Sequence, residues 1–157
     1  FRRVLFRSKN QNAKKTLFAL LKLGVIPIIN ENDCISTAQI EGYRFGDNDT
    51  LSAMVAQLVD ADLLILLTDI DGLYTDNPKV NKEATLIKTV EEITPEIEGL
   101  GKDTGSQFGT GGMTTKITAA KIAKENQTHT VVALGDDTRV LYDILEGKEV
   151  GTWFIGK

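Results

Sequence analysis

The sequence predicts an α/β fold, a mostly parallel sheet sandwiched by helices, on three observations. The run LLILLT (Leu63–Thr68) is apolar on both faces, as a strand covered on both sides must be, and TVVAL (Thr130–Leu134) repeats the pattern. Segments with helical spacing stand before and after these runs: Leu51, Met54, Val55 and Leu58, then Thr114–Asn126, then Val140, Leu141, Ile144 and Leu145. Strands alternating with helices call for a parallel sheet, and right-handed crossovers carry the strand C-termini to one edge. The polar motifs follow strands or precede helices, so they can meet at that edge, where such sheets bind ligands.

Each element has its own signal. Leu17, Leu20, Leu21 and Gly24 follow i, i+3, i+4, i+7, so Asn12–Leu23 is expected to be an amphipathic helix stopped by Gly24. VIPII (Val25–Ile29) is a β-branched run expected to be a strand, with Pro27 lacking one ladder donor. Asn30–Phe45 has no sustained period and is expected to be a loop or hairpin excursion. Asn48-Asp49-Thr50 suits the start of a helix, since a short polar side chain there accepts from a free N–H. Asp69–Pro78 is turn-rich around Gly72 and Asn77-Pro78. Val90–Leu100 is acidic, with Thr94-Pro95 placed as cap and first position of a short helix. Lys102–Gly112 is a Gly/Ser/Thr loop, and Gly147 closes the last helix. Residues 1–8, FRRVLFRS, carry three arginines, no acid and no clear period, and are set aside as a segment foreign to the fold, leaving 9–157 as the domain.

Composition narrows the chemistry. The 157 residues hold Lys+Arg 18 against Asp+Glu 22, a formal charge of −4, which speaks against a nucleic-acid or anionic-membrane surface as the main partner. No apolar run approaches the roughly 20 residues of a membrane-spanning helix, so no membrane partner and a cytoplasmic location are expected. One cysteine (Cys34) and one histidine (His129) leave no disulfide and no Cys/His metal cluster. The polar chemistry therefore rests on Asp, Asn, Thr, Lys and backbone amides.

Four motifs stand out. Gly109-Thr110-Gly111-Gly112-Met113-Thr114-Thr115-Lys116 opens a helix. Glycines let N–H groups approach an anion, the helix N-terminus adds its dipole, and Lys116 adds a full charge, as terminal phosphates require. The spacing is not that of a P-loop, since no glycine immediately precedes Lys116, and a surface loop ahead of an ordinary helix explains it equally well. Asn30-Glu31-Asn32-Asp33 follows VIPII and is either a ligand-edge cluster or a solvated turn. In Gly46-Asp47-Asn48-Asp49-Thr50 one side chain suffices as a cap, leaving others for ligand bonds or magnesium, and a cap alone explains the motif equally well. Thr68-Asp69-Ile70-Asp71-Gly72-Leu73-Tyr74 ends the central strand, where adenine or ribose is held or where plain turn chemistry operates.

INEND, FGDNDTLSA, LLLTDIDGLYT and GTGGMTTK, in this order from about Asn12 to Phe154, closely resemble the glutamate 5-kinase branch of the amino-acid kinase family. The resemblance implies transfer of the ATP γ-phosphoryl group, with Mg2+ on the nucleotide, to the side-chain carboxylate of L-glutamate, the first step of proline biosynthesis. By position it implies that Asp33 and Asn48 bind glutamate, that Asp49 organises catalytic lysines, and that Thr68 and Asp69 contact the nucleotide. It makes Thr110, Gly111, Gly112, Met113, Thr114, Thr115 and Lys116 the ATP-binding loop, with Lys116 on the transferred phosphoryl group. It implies no protein-held metal, feedback inhibition by proline, and a homo-oligomer in the intact parent.

The same resemblance implies an absent N-terminal strand with its Gly-rich turn and further lysine, and an absent C-terminal PUA domain. The 157-residue chain is therefore expected to be a partial kinase domain, inactive alone, with apolar surface open to self-association or aggregation. Two alternatives stay open: an ATP-binding fragment without catalysis, and an amino-acid kinase for N-acetylglutamate, aspartate or carbamate.

Overall fold

The computed structural model describes residues 2–30, 47–103 and 112–157. Along the chain these form α1 (Arg2–Lys22), α2 (Asn48–Leu58), β1 (Leu63–Thr68), β2 (Thr89–Val90), α3 (Pro95–Asp103), α4 (Met113–Lys124), β3 (His129–Leu134), α5 (Val140–Leu145) and β4 (Thr152–Phe154). Strand order in the sheet is β1-β3-β4-β2. β1 and β3 run parallel from Leu63↔His129 to Thr68↔Leu134, and β2 and β4 are parallel at Val90↔Phe154. β3 and β4 are antiparallel, with Val131 opposite Trp153. The fold is the expected α/β sandwich, with one antiparallel seam inside a mostly parallel sheet.

Alternation along β3 fixes the two layers. Val132 points with Leu64 and Leu66 of β1 and Phe154 of β4 into a cluster closed by Ala53 and Ala56 of α2 and by Met113, Ile117, Ala119, Ala120 and Ala123 of α4. Val131 and Ala133 point the other way, against Ile144 of α5. Small side chains explain the close approach of α2 and α4: Ala53, Ala119, Ala120 and Ala123 are each at most 1% exposed. A larger side chain there meets packed helix rather than a gap. Burial of Ile144, 2% exposed, holds α5 to the opposite face with about 2 kcal/mol.

β4 is short and is located by two residues. Gly151 has φ +68, and a Cβ built on it would lie 2.2 Å from the Val132 carbonyl oxygen, so only glycine lets the chain enter the sheet there. Thr152, fully buried, accepts at Oγ1 from Leu73 N–H (2.8 Å) and donates to the Ile87 carbonyl (2.7 Å). That hydroxyl ties the segment following β1 to the sheet.

Two expectations need correction. α1 starts at Arg2 rather than near Asn12 and runs unbroken to Lys22, because the stretch before Asn12 has no Gly or Pro to interrupt a helix once the later turns nucleate it. Gly24, at φ +72, marks the turn after its end. VIPII is not a strand: residues 25–30 carry no regular secondary structure, and Ile26 and Ile28 are 86% and 96% exposed. Strand propensity alone does not make a strand without a partner to bond and bury it. Most of the expected excursion Asn30–Phe45, with Asp33 and Cys34, lies outside the described residues, as do Thr110 and Gly111.

Candidate functional site

α2 precedes β1 and α4 precedes β3, each running back along the sheet, so both helix N-termini sit at the carboxyl edge of the parallel pair. α2 begins cleanly because Asp47, at φ −143, is its cap. The Asp47 side chain accepts from Asp49 N–H at 3.0 Å and from Thr50 Oγ1 at 3.1 Å. With the cap supplied by Asp47, Asn48 and Asp49 are released from that duty. Asn48 stands exposed in the first turn, while Asp49 turns toward α4.

α4 begins differently. Its N-cap is Gly112, which offers no side-chain acceptor, so the first-turn N–H groups gain no side-chain cap. Lys116 lies one turn in, 7% exposed, and its Nζ donates to Asp49 Oδ2 at 3.1 Å. Thr115 Oγ1 lies 2.6 Å from the same Oδ2 and 2.7 Å from the Gly112 carbonyl, giving its single proton two acceptors. Asp49 is itself mostly covered, its side chain 18% accessible. A buried ammonium is tolerated only where a carboxylate and hydrogen bonds replace its water, and removing either partner leaves an uncompensated charge. Thr114 Oγ1 donates to the Gly101 carbonyl at 2.8 Å, which seats the C-terminal end of α3 against the first turn of α4. Met113 is 5% exposed and packs in the core.

Thr68 and Asp69 end β1 at the same edge. Thr68 Oγ1 donates to Asp69 Oδ1 at 3.1 Å, and the Thr68 carbonyl accepts from Gly135 N–H at 2.8 Å, so the ends of β1 and β3 are joined there. The segment beyond is ordered by its own bonds. Tyr74 pairs with Leu86, and Tyr74 OH donates to Asp71 at 2.8 Å, which holds the phenol above its ordinary value. Asp76 accepts from Asn81 Nδ2 and from Asn77 N–H, and these bonds hold its carboxyl below the usual carboxylate range.

The structure thus brings Asp49, Thr115 and Lys116 into contact and sets Asn48, Gly112, Thr114, Thr68 and Asp69 along the same edge. Asp33, Thr110 and Gly111 lie outside the described residues. Sequence reasoning missed Thr115 as the bridge to Asp49, because a threonine in a first helical turn carries no signal of its partner. It also left open which residue caps α2. Among the described residues no three His, Cys, Asp or Glu side chains converge to hold an ion. His129 opens β3 and accepts at Nδ1 from Gly156 N–H at 3.3 Å. Lys121 and Lys124 lie outside the cluster, Lys121 paired with Glu98 at 2.5 Å and Lys124 bonded to the Glu91 carbonyl.

A profile of the amino acid kinase family matches residues 2–134, which is most of the chain. The chain belongs to the amino acid kinase family. Its similarity to curated members is specific. It is 49% identical over 152 residues to a glutamate 5-kinase of Clostridium perfringens, covering 96% of this chain and 56% of that protein. It is 53% identical over 146 residues to a glutamate 5-kinase of Methanosarcina barkeri, covering 93% of this chain and 38% of that one. The chain thus spans about half the length, or less, of the curated relatives it matches. Among solved structures, the UMP kinase of Bacillus anthracis aligns with a TM-score of 0.63 at 19% identity, covering 92% of this chain and 51% of that one. Carbamate kinase from Giardia lamblia aligns with a TM-score of 0.51 at 22% identity, over 68% of this chain and 31% of that one. At such identities the structures speak to the amino acid kinase fold, and the curated relatives speak to the glutamate 5-kinase branch.

Proposed function

We propose that the protein this chain represents phosphorylates the side-chain carboxylate of L-glutamate from ATP, giving glutamyl 5-phosphate for proline biosynthesis. The observation that carries this reading is the Lys116–Asp49–Thr115 cluster, built where the N-termini of two adjacent helices meet the strand ends. Its identity to glutamate 5-kinases supports the choice of substrate.

A glutamate oxygen attacks the γ-phosphorus, an O–P bond forms, and the bond from that phosphorus to the β–γ bridging oxygen breaks, leaving ADP. The nucleophile is ionised at neutral pH, so the step needs no general base, and a site without a catalytic histidine is sufficient. Catalysis then rests on positioning and on neutralising the oxygens of the transferred group. Lys116 supplies that charge, and Asp49 with Thr115 fixes its direction. The Gly112–Thr115 turn, together with Thr110 and Gly111, offers N–H groups to the phosphates. Thr68 and Asp69 hold the nucleoside, and Asn48 with Asp33 holds glutamate. Mg2+ bound with the nucleotide would supply further positive charge to the phosphates.

The whole protein acts in the cytoplasm, as a homo-oligomer inhibited by proline, in this reading. Because the chain spans only 56% of the Clostridium perfringens relative, a second reading has support: the 157-residue chain binds ATP without turning over glutamate. Hydroxylamine trapping of acyl phosphate separates the two. The assay compares this chain with one extended by the part of that relative it does not span. Product only from the extended chain is expected. Product from neither, with ATP and glutamate present, sinks the kinase assignment, and a substrate panel of N-acetylglutamate, aspartate and carbamate tests the neighbouring specificities.

A further inference from the structure

The first turn of α4 is gripped from two sides. Thr115 and Lys116 face α2 and meet Asp49. Thr114, Ile117, Lys121 and Lys124, spaced i, i+3, i+7 and i+10, form a stripe on another side of the helix. That stripe meets α3 and the segment leading into it. Thr114 Oγ1 donates to the Gly101 carbonyl at 2.8 Å, Lys121 pairs with Glu98 at 2.5 Å, and Lys124 bonds the Glu91 carbonyl. α3 is itself seated on the core by Ile97 and Leu100.

Gly101 lets the two backbones approach closely. A Cβ built on it would lie 3.2 Å from both Cα and N of Thr114 and 2.8 Å from Ile117 Cδ1, so a side chain there pushes the end of α3 off the first turn of α4. Carbonyls in the last turn of a helix look beyond it for donors, and Thr114 supplies one to Gly101. The first turn of α4 gains no side-chain cap from Gly112, so contacts from α2 and α3 hold it instead. A threonine hydroxyl carries a single proton. That of Thr114 goes to Gly101, and that of Thr115 has the Asp49 carboxylate and the Gly112 carbonyl as acceptors. The oxygens of an ionised phosphate only accept. While these bonds last, the N–H groups of the turn and Lys116 Nζ, with its three protons, are left to face an anion.

We propose that Thr114 and Gly101 are positioning residues for Lys116: through their contact α3 holds the first turn of α4 at the rotation in which Lys116 Nζ meets Asp49. The Thr114 hydroxyl then acts through the helix and not on the nucleotide. Lys116 lies two residues further on and faces another way, so loosening the α3 contact lets the turn roll and carries Nζ away from Asp49 Oδ2. The effect on turnover rests on the kinase reading above, whereas the effect on the Lys116 environment does not.

The test uses a chain extended to the length of its glutamate 5-kinase relatives, with Thr114→Val, Thr114→Ser and Gly101→Ala variants. Thr114 is exposed, so loss of its hydroxyl leaves the fold intact. Acetylation of Lys116 by acetic anhydride, read by peptide mass spectrometry, reports the geometry without substrate. Lys116 is covered and should react slowly in the parent, severalfold faster in Thr114→Val and Gly101→Ala, and at the parent rate in Thr114→Ser. Lys14, paired with Asp60 elsewhere, should keep its parent rate in all of them. In steady-state kinetics kcat should fall about tenfold in Thr114→Val and in Gly101→Ala, as a misplaced charge would cause, with both KM values little changed and no further loss in the double variant. Unchanged Lys116 reactivity in both variants would overturn the proposal. A raised KM for ATP in Thr114→Val, with Gly101→Ala at the parent value, would overturn it as well, being the mark of a hydroxyl that touches the nucleotide. Faster labelling with an unchanged kcat would also overturn it, since the contact would then be structural only. A parent that forms no acyl phosphate but shows the labelling pattern sinks the kinase reading and supports the positioning of Lys116.

Discussion

The α2–α4 layer and the α1–VIPII stretch are built from similar apolar residues and come to opposite ends. In the first, Ala53, Ala119, Ala120 and Ala123 lose nearly all contact with water, and the helices come close enough for Asp49 of one to reach Lys116 of the other. In the second, Leu23, Ile26 and Ile28 stay largely in solvent, and α1 is tied to the rest of the fold by contacts such as the Lys14–Asp60 ion pair at 2.5 Å. The difference lies in partners rather than in propensity. A helix face or a strand is stabilised by what covers it, and the Asp49–Lys116 contact lies where that cover is nearly complete.

This comparison can be broken by substitutions on either side, read by urea unfolding at low protein concentration. The largest effect is expected at Gly151→Ala, about 3 kcal/mol of lost stability, since the backbone has positive φ and the new Cβ falls on the Val132 carbonyl. Asp49→Ala should cost a similar amount, about 3 kcal/mol, because it removes the carboxylate that balances the Lys116 ammonium in a covered site. A loss below about 1 kcal/mol would mean that water reaches Lys116 freely. Ala120→Leu should cost about 2 kcal/mol by forcing α2 and α4 apart. Asp47→Ala should cost about 1 kcal/mol, the usual worth of an N-cap. Leu23→Lys should change stability by less than about 0.5 kcal/mol. A large loss there would show that α1 is packed more firmly than its exposure implies.

Much of the layer that carries the site was legible in the sequence. β1, β3, α2, α4 and α5 announce themselves through apolar runs and helical spacing, and α3 through Thr94-Pro95. The failures share one physical cause: the sequence records local preference but not the neighbour. VIPII has the composition of β1, but among the described residues no strand lies beside it. β4 is only Thr152–Phe154, too short to show a period, and its place depends on a glycine and a threonine acting on other segments. At the site, the crowding of polar residues at Gly46–Thr50 left a cap alone and a ligand site equally open. Only the folded helices show Asp47 taking that role and Asp49 meeting Thr115 and Lys116.

The most direct test is the steady-state kinetics of Lys116→Ala in a chain extended to the length of its glutamate 5-kinase relatives. If Lys116 neutralises the transferred phosphoryl group, kcat should fall by about 10²–10³ while the KM for glutamate changes little, the latter also showing that the site still folds. An unchanged kcat would contradict the account and leave the buried Asp49–Lys116 pair a structural clasp between α2 and α4.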